Sequence, residues 1–302
     1  LQVLKPQAFV ANGNLTSAVI NSVGKVAEGA TVATLDFANN AFISTAGIAT
    51  VTNLAIGKEV PIINIAGVFG ANLSVVTVSS ENPYYAVQNN VVYDKDITRI
   101  LYYSNVLQGT YTVPDTVTAI SNKLFANKLY LTGIVLGKKV AVIEEQAFSG
   151  CKALASVTFA VDGALTYIKS KAFENCTSLT TVTLPKTLTM LDALVFDGCT
   201  SMSRIAVDNA SVKYTVKDGM LYEKNASGAL VSLLYCPTNY PLANDGKVVV
   251  PATVTKIADR LFYKNSNIKS FEVEGNIDAD IVFGNEVFNL CDELITVKLP
   301  KG

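Results

Sequence analysis

The chain is expected to fold as a single solenoid over residues 1–302, a β-rich, right-handed coil of about nine turns. It should carry a parallel β-sheet on one face, short helical turns at the corners and two inserted β-hairpins. Three observations predict this. Apolar residues recur at six fixed slots with a period in the low twenties. The two breaks in that period contain segments that resemble each other. Half of the residues are hydrophobic and only 16% are charged, enough for a large core and far from the composition of disordered chains.

The repeat is clearest in "AFSGCKALASVTF" (147–159) and "AFENCTSLTTVTL" (172–184), which restate one pattern 25 residues apart. In the second copy Ile168, Phe173, Cys176, Leu179, Val182 and Leu184 step by five, three, three, three and two. The same steps begin at Ile120, Ile143, Leu191, Ile257 and Phe283, with Phe125, Phe148, Phe196, Phe262 and Phe288 in the aromatic slot. Three less regular copies follow Phe9 (Leu15, Ala18, Ile20), Phe42 (Thr45, Ile48, Val51) and Phe69 (Asn72, Val75, Val78), which brings the count to nine.

Each part of the repeat has a structural assignment. Leu179-x-x-Val182-x-Leu184 ends in an alternating pair that suits an extended strand, and stacking the coils aligns such strands in parallel. Phe173 and Cys176, three apart, suit a helical turn; Leu165-x-x-Ile168 suits a second extended leg. Pro185 and Pro300 follow the strand and end it, because proline has no N–H for the ladder.

Successive aromatic slots are mostly 23 to 27 residues apart, but Phe69 to Phe125 spans 56 and Phe196 to Phe262 spans 66. These gaps define a first insert at 81–113 and a second at 208–250. "YAVQNNVVYDKDITRILYY" (85–103) and "YTVKDGMLYEKNASGALVSLLY" (214–235) each place Tyr eight before Tyr and Lys two further on, then a polar turn and an apolar return. The alternation reads as a β-hairpin, with Asn89-Asn90 or Asp218-Gly219 at the turn.

The pattern "IxxxAFxxCxxLxxVxLP" at 168–185 resembles the BspA-like class of bacterial leucine-rich repeats, and its copies cover nearly the whole chain. The "DGxLY" hairpin that members often carry is matched by Asp218, Gly219, Leu221 and Tyr222; the first hairpin departs with Asn89-Asn90. The resemblance implies a leucine-rich-repeat solenoid of a bacterial protein displayed on the cell surface or secreted, and a role in adhesion.

Composition narrows the partners. A net charge of −1 and a pI near 5.6 offer no field to hold nucleic acid or an anionic membrane. Apolar stretches such as "VPIINIAGVFGANLSVVTV" (60–78) are broken by polar residues, so no membrane insertion is expected. The chain begins at Leu1 without a charged-then-apolar leader, as a mature or trimmed form would.

Catalytic and metal chemistry find little support. The absence of histidine removes Ser-His-Asp and Cys-His arrangements. "GKVAEGAT" (24–31) lacks the Lys-Ser/Thr ending of a phosphate loop. No CxxC occurs; Cys151, Cys176, Cys199 and Cys291 share one repeat slot and read as buried packing residues in a partial ladder, with Cys236 alone in the second insert. Glu144–Glu145 and Asp94-Lys95-Asp96 read as solvated charge at a corner and a hairpin turn. A glycosidase would need two acids about 5 to 10 Å apart in a cleft, which the pattern does not predict. Neither an enzyme, a metal site nor a cofactor is expected.

Two surface features remain. The residues flanking the inward strand slot across nine coils are Ser17, Val19, Thr50, Thr52, Thr77, Ser79, Gly133, Val135, Ser156, Thr158, Thr181, Thr183, Arg204, Ala206, Ser270, Glu272, Thr296 and Lys298, and eleven of these eighteen are Ser or Thr. Such a hydroxyl-lined, nearly neutral face suits a glycan or an extended peptide, although threonine is also an ordinary residue on a solvated strand. Ten of thirteen tyrosines fall in the two inserts. Tyr93 and Tyr222, at equivalent hairpin positions, read as structural, whereas Tyr84, Tyr102 and Tyr240 break the repetition and are candidates for contact. The candidate ligand-binding set is Thr158, Thr181, Thr183, Arg204, Glu272, Lys298, Tyr84, Tyr102 and Tyr240. The expected function is a monomeric, non-catalytic adhesion module that binds an extracellular protein or glycan; the alternative is a spacer arm without a specific ligand.

Overall fold

A computed structural model of the chain describes residues 17–20, 53–58, 74–275 and 280–299. It shows a β-solenoid of short parallel ladders with one four-residue helix among the described residues. The fold divides into two compact units: Leu1–Gly109 with Thr116–Ile120, and Thr110–Asp115 with Ser121–Gly302.

In the first unit, β1 (Ser17–Ile20), β2 (Asn53–Ile56) and β3 (Val75–Val78) form a parallel ladder in which Ala18, Leu54 and Val76 are in register. This corrects two strand positions. Ile48 with Val51 and Val75 with Val78 were the expected apolar slots; Leu54 with Ile56 and Val76 with Val78 take them instead. The polar flanking slots of those two copies left the spacing open to a shift, and strand alternation sets the register. The outward positions are therefore Asn53, Ala55, Val75 and Thr77, while Phe9, Phe42, Phe69, Thr50 and Thr52 lie outside the described residues.

The first hairpin pairs β4 (Tyr85–Gln88), β5 (Val91–Asp94) and β6 (Ile100–Tyr103) in antiparallel fashion. Asn89 and Asn90 both have positive φ, 50° and 62°, which is the backbone a two-residue turn of matching twist requires. Lys95 Nζ donates to the Asn82 carbonyl at 2.7 Å, and in the second hairpin Lys224 Nζ donates to the Ser211 carbonyl at 2.8 Å. The repeated Tyr-x-Lys of the two inserts is thus a side-chain tie across the hairpin base.

Strand β7 (Gly109–Thr112) leads the main ladder of the second unit, and β8 (Ala119–Ile120) belongs to the first. The ladder continues through β9 (Leu131–Val135), β11 (Ser156–Thr158), β13 (Thr181–Leu184) and β15 (Arg204–Val207), interleaved with a second ladder of β10 (Val142–Ile143), β12 (Tyr167–Ile168) and β14 (Met190–Leu191). The second insert supplies β16 (Tyr214–Lys217), β17 (Met220–Lys224) and β18 (Leu230–Tyr235); β18 then pairs in parallel with β20 (Lys256–Ile257), and β20 with β22 (Val282–Phe283). Helix α1 (Ala243–Gly246) precedes a last ladder of β19 (Lys247–Val250), β21 (Ser270–Val273) and β23 (Thr296–Lys298). The spans 81–113 and 208–250 are accordingly more than hairpins, since each returns a coil strand, β7 or β19, at its end.

Strand burial alternates as expected: in β13 Thr181 and Thr183 are exposed, Val182 and Leu184 buried. The corners differ from expectation. They are hydrogen-bonded turns, because the residues two before and two after the aromatic adopt positive φ, as in Lys171 (57°) and Asn175 (57°) around Phe173. Left-handed residues four apart cannot propagate a helix. N–H groups of the turn instead point to the following coil, and that interlayer bonding offsets the strain: Asn127 N–H to Ser149 O at 2.8 Å and Phe148 N–H to Ala172 O at 2.8 Å are examples.

The core of the second unit is an aromatic column with a sulfur column beside it. Phe125, Phe148, Phe173 and Phe196 stack with centroid spacings of 4.9, 5.1 and 5.7 Å, and Tyr111 and Tyr235 tilt onto its two ends. Cys151, Cys176 and Cys199 each donate Sγ–H to the carbonyl of the aromatic one coil earlier, at 2.8, 3.2 and 3.1 Å. Cys236 is no outlier: it is buried and accepts from Asn265 Nδ2 at 3.9 Å, and Asn265 holds the cysteine slot of its own coil.

Candidate functional site

The site forms where the main ladder stops. β15 is the last strand of its sheet, and the chain then leaves into β16 and β17, so β15 borders the second hairpin in place of another coil strand. The result is a hollow of about 660 Å³ lined by Arg204, Asp208, Asn209, Tyr214, Gly219 and Tyr240. A second hollow of about 450 Å³ runs over Ser156, Thr158, Thr181 and Thr183, and Asp208 lines both. The two hollows adjoin at Asp208. Thr181 sits beside Arg204 in the ladder register, and Thr158, Thr181, Thr183 and Arg204 are all exposed.

Tyr240 is the fixed wall of the groove. Its loop is pinned by Asn239, whose N–H donates to Met202 O at 3.0 Å and whose Nδ2 donates to Thr200 O at 2.6 Å. The ring lies on Gly219, which has φ +73°: a Cβ built there would stand 2.1 Å from Cζ and 2.3 Å from both Cε atoms. Only glycine allows that face contact. Tyr214 is buried, donates its hydroxyl to Thr189 O at 3.3 Å and has a pKa pushed up by burial, so it supports the wall as a neutral ring.

Charge in the groove is sparse. Lys186 pairs with Asp162 at 2.8 Å, and the hydrogen bond from Lys186 holds the Asp162 carboxyl below its ordinary range. Arg204 makes no ion pair among the described residues. A hydroxyl-lined trough with one aromatic wall and one uncommitted guanidinium is chemistry for adsorbing a polar chain.

The remaining sequence candidates fall elsewhere. Glu272 pairs with Lys247 at 2.8 Å and is in register with Lys298, both on the ladder of β19, β21 and β23 and outside the two hollows. Tyr84 is half-buried in the first unit, its N–H donating to Asn82 Oδ1 at 2.8 Å. Tyr102 is a correction: it is 2% exposed, in the buried set of the first hairpin with Tyr85, Val92 and Tyr93, away from any binding surface. The strand registers give it a counterpart after all: Tyr102 pairs with Val92 as Tyr235 pairs with Leu221 in the second insert. The other charge clusters are structural too: Glu144 pairs with Lys169 at 2.6 Å, and Asp94 accepts from Thr98 N, Thr98 Oγ1 and Arg99 N. No cluster of three metal-ligating side chains occurs among the described residues. Asp208 and Asn209 escaped the sequence reading, since only the fold shows that the residues leaving β15 line the first hollow and that Asp208 also lines the second.

The chain belongs to the BspA-type leucine-rich repeat family, whose pattern matches six copies over residues 118–225 and 243–302. No curated protein matches it in sequence. Among solved structures it is similar to the pneumococcal vaccine antigen PcpA, with 20% identity and a TM-score of 0.57. That likeness covers 98% of this chain, which spans only 63% of PcpA. It is also similar to a leucine-rich cell surface protein of Faecalibacterium prausnitzii, with 21% identity, a TM-score of 0.45 and coverage of 72% of this chain and 68% of the other. No described helix is long and apolar enough to cross a membrane.

Proposed function

We propose that the chain is a non-catalytic recognition module, displayed on the cell surface or secreted, that binds an extracellular protein or glycan as a single copy along the groove from Thr158 to Tyr240. One observation carries the reading. Residues singled out for two unrelated reasons, the hydroxyl row with Arg204 and the non-repeating Tyr240, meet in adjoining hollows joined by Asp208. The family's repeat scaffold supports it, as does the shared fold of a vaccine antigen, because an antigen is an exposed protein. Tyr240 is the anchor, held rigid on Gly219 so that little conformational freedom is lost on binding. The side chains of Thr158, Thr181, Thr183 and Arg204 supply donors and acceptors along the trough.

The test is an array of host glycans and matrix proteins probed with the chain and with an Arg204→Ala/Tyr240→Ala double variant. The reading expects at least one ligand whose binding drops by about tenfold or more in the variant. Ligands bound equally by both proteins, or no ligand at all, would favour the spacer arm.

A further inference from the structure

We propose that the corner between the Phe196 and Phe262 turns is a second docking slot, one that takes a short turn-forming segment of a partner polypeptide through that segment's main chain. The argument starts from the one-way ladder at intact corners. Lys123, Phe125 and Asn127 donate their N–H groups to the carbonyls of Glu145, Ala147 and Ser149; Arg260, Phe262 and Lys264 donate to Asn285, Val287 and Asn289 in the same way. Every such N–H points to the following coil, and every accepting carbonyl points to the preceding one.

The second insert interrupts this ladder at one place only. It returns β18 to pair with β20 and β19 to pair with β21, so two sides of the missing coil are rebuilt. At the corner the chain passes straight through Tyr235, Cys236 and Pro237, and the turn that would stack on Phe196 is absent. Leu194 keeps the left-handed φ of a paired corner, 61°, yet neither its N–H nor that of Phe196 finds an acceptor among the described residues. Across the gap, the carbonyls of Asp259 and Leu261 receive no donor among the described residues. Phe196 and Leu261 are 3% and 4% exposed, and the buried Tyr235 hydroxyl also has no partner. Leu194 and Asp259 are partly exposed at the mouth and Phe196 and Leu261 buried behind them, so one cavity gathers main-chain donors and acceptors that the chain itself does not use.

The cavity measures about 450 Å³, and these groups line it. Donors on one wall and acceptors on the other match a segment that repeats the corner turn, with its carbonyls toward Leu194 and Phe196 and its N–H groups toward Asp259 and Leu261. The Tyr235 ring, 5.4 Å from Phe196, already holds the aromatic place, so the segment needs a small residue at its centre. Arg260 reaches Asp197 and Glu286, and Asp192 and Asp259 accept only from neutral donors, Tyr167 and Ser170 for the first and Asn285 for the second, so beside the lining Lys256 their charge still favours a basic flanking residue. This groove shares no residue with the one on the sheet face and does not depend on its assignment.

The probe is an acetylated and amidated peptide copying residues 169–175 with Phe173→Ala, titrated into the isotope-labelled chain. We expect the Leu194 and Phe196 amides to shift and their hydrogen exchange to slow by about tenfold or more at saturation. Methylating alternate peptide nitrogens should weaken binding at least about tenfold, because it removes the main-chain donors. Ala193→Trp, at an exposed position on the wall, should do the same with an unchanged thermal melt. Amides that stay unmoved at millimolar peptide, or equal binding by the methylated peptide, or equal binding by Ala193→Trp, would each overturn the proposal.

Discussion

The ring of Phe173 lies parallel to that of Phe148, 5.1 Å away and 4° from coplanar, although the two residues are separated by a full coil of sequence. Cys176 donates to the Phe148 carbonyl at 3.2 Å in the same layer. One layer of the solenoid is therefore locked to the next by a ring, a thiol and a main-chain bond at once.

Removing the ring should be costly, and removing a groove hydroxyl should not. Phe173→Ala is expected to lower stability by about 3 to 5 kcal/mol, since it empties a fully buried site between layers. Thr183→Ala, on an exposed strand face, should cost under about 1 kcal/mol. Denaturant melts decide this, and equal losses would contradict the assignment of faces.

The thiols should be silent in the native state. Burial pushes the Cys151 pKa up to about 11 and that of Cys236 up to about 12, and the Cys176 thiol is raised by the neighbouring Cys199 thiol and by burial. Titration with a thiol reagent at neutral pH should label Cys291, which is only partly buried, before the other four, which react on unfolding. Uniform fast labelling would rule out the sulfur column.

Lys128 takes the slot that cysteine holds elsewhere, and burial lowers its pKa to about 8. The unfolded chain keeps the ordinary value of about 10.4, so between these two values it binds more protons than the folded chain, and stability rises with pH. Relative to Lys128→Met, the native chain should gain up to about 3 kcal/mol from pH 8 to 10.5, with a constant difference below pH 8. Parallel pH profiles from chemical denaturation would show that the ammonium is not desolvated.

Gly219→Ala should strike both the hairpin and the groove. It forces a side chain into φ +73° and onto the Tyr240 ring, at an expected cost of about 1 to 3 kcal/mol. A melt together with Tyr240 ring resonances checks this, and an unmoved ring would mean that the Gly219 contact does not hold Tyr240.

Much of this was legible because a solenoid writes its contacts into its period. The six-slot spacing identified the buried column from Phe125 to Phe196 and the outward Thr181 and Thr183, since neighbours in repeat register are neighbours in space. The Asn-Asn turn and the Tyr-x-Lys echo identified both hairpins. What the spacing did not carry lies where the period breaks. The left-handed φ of Lys171 and Asn175, which replaces a helical corner by a turn, leaves no hydropathy signal. The positions of β2 and β3 depended on slots filled by polar residues. Tyr102 and Tyr240 were equally irregular in sequence; the fold buries one in a hairpin core and lays the other on Gly219.

The central claim is that aromatics one period apart touch. A double-mutant cycle between Phe148→Leu and Phe173→Leu measures that contact directly by denaturant unfolding. Stacked rings should give a coupling of about 0.5 to 1.5 kcal/mol. Strictly additive losses would place the two rings in separate cores and contradict the stacked coil.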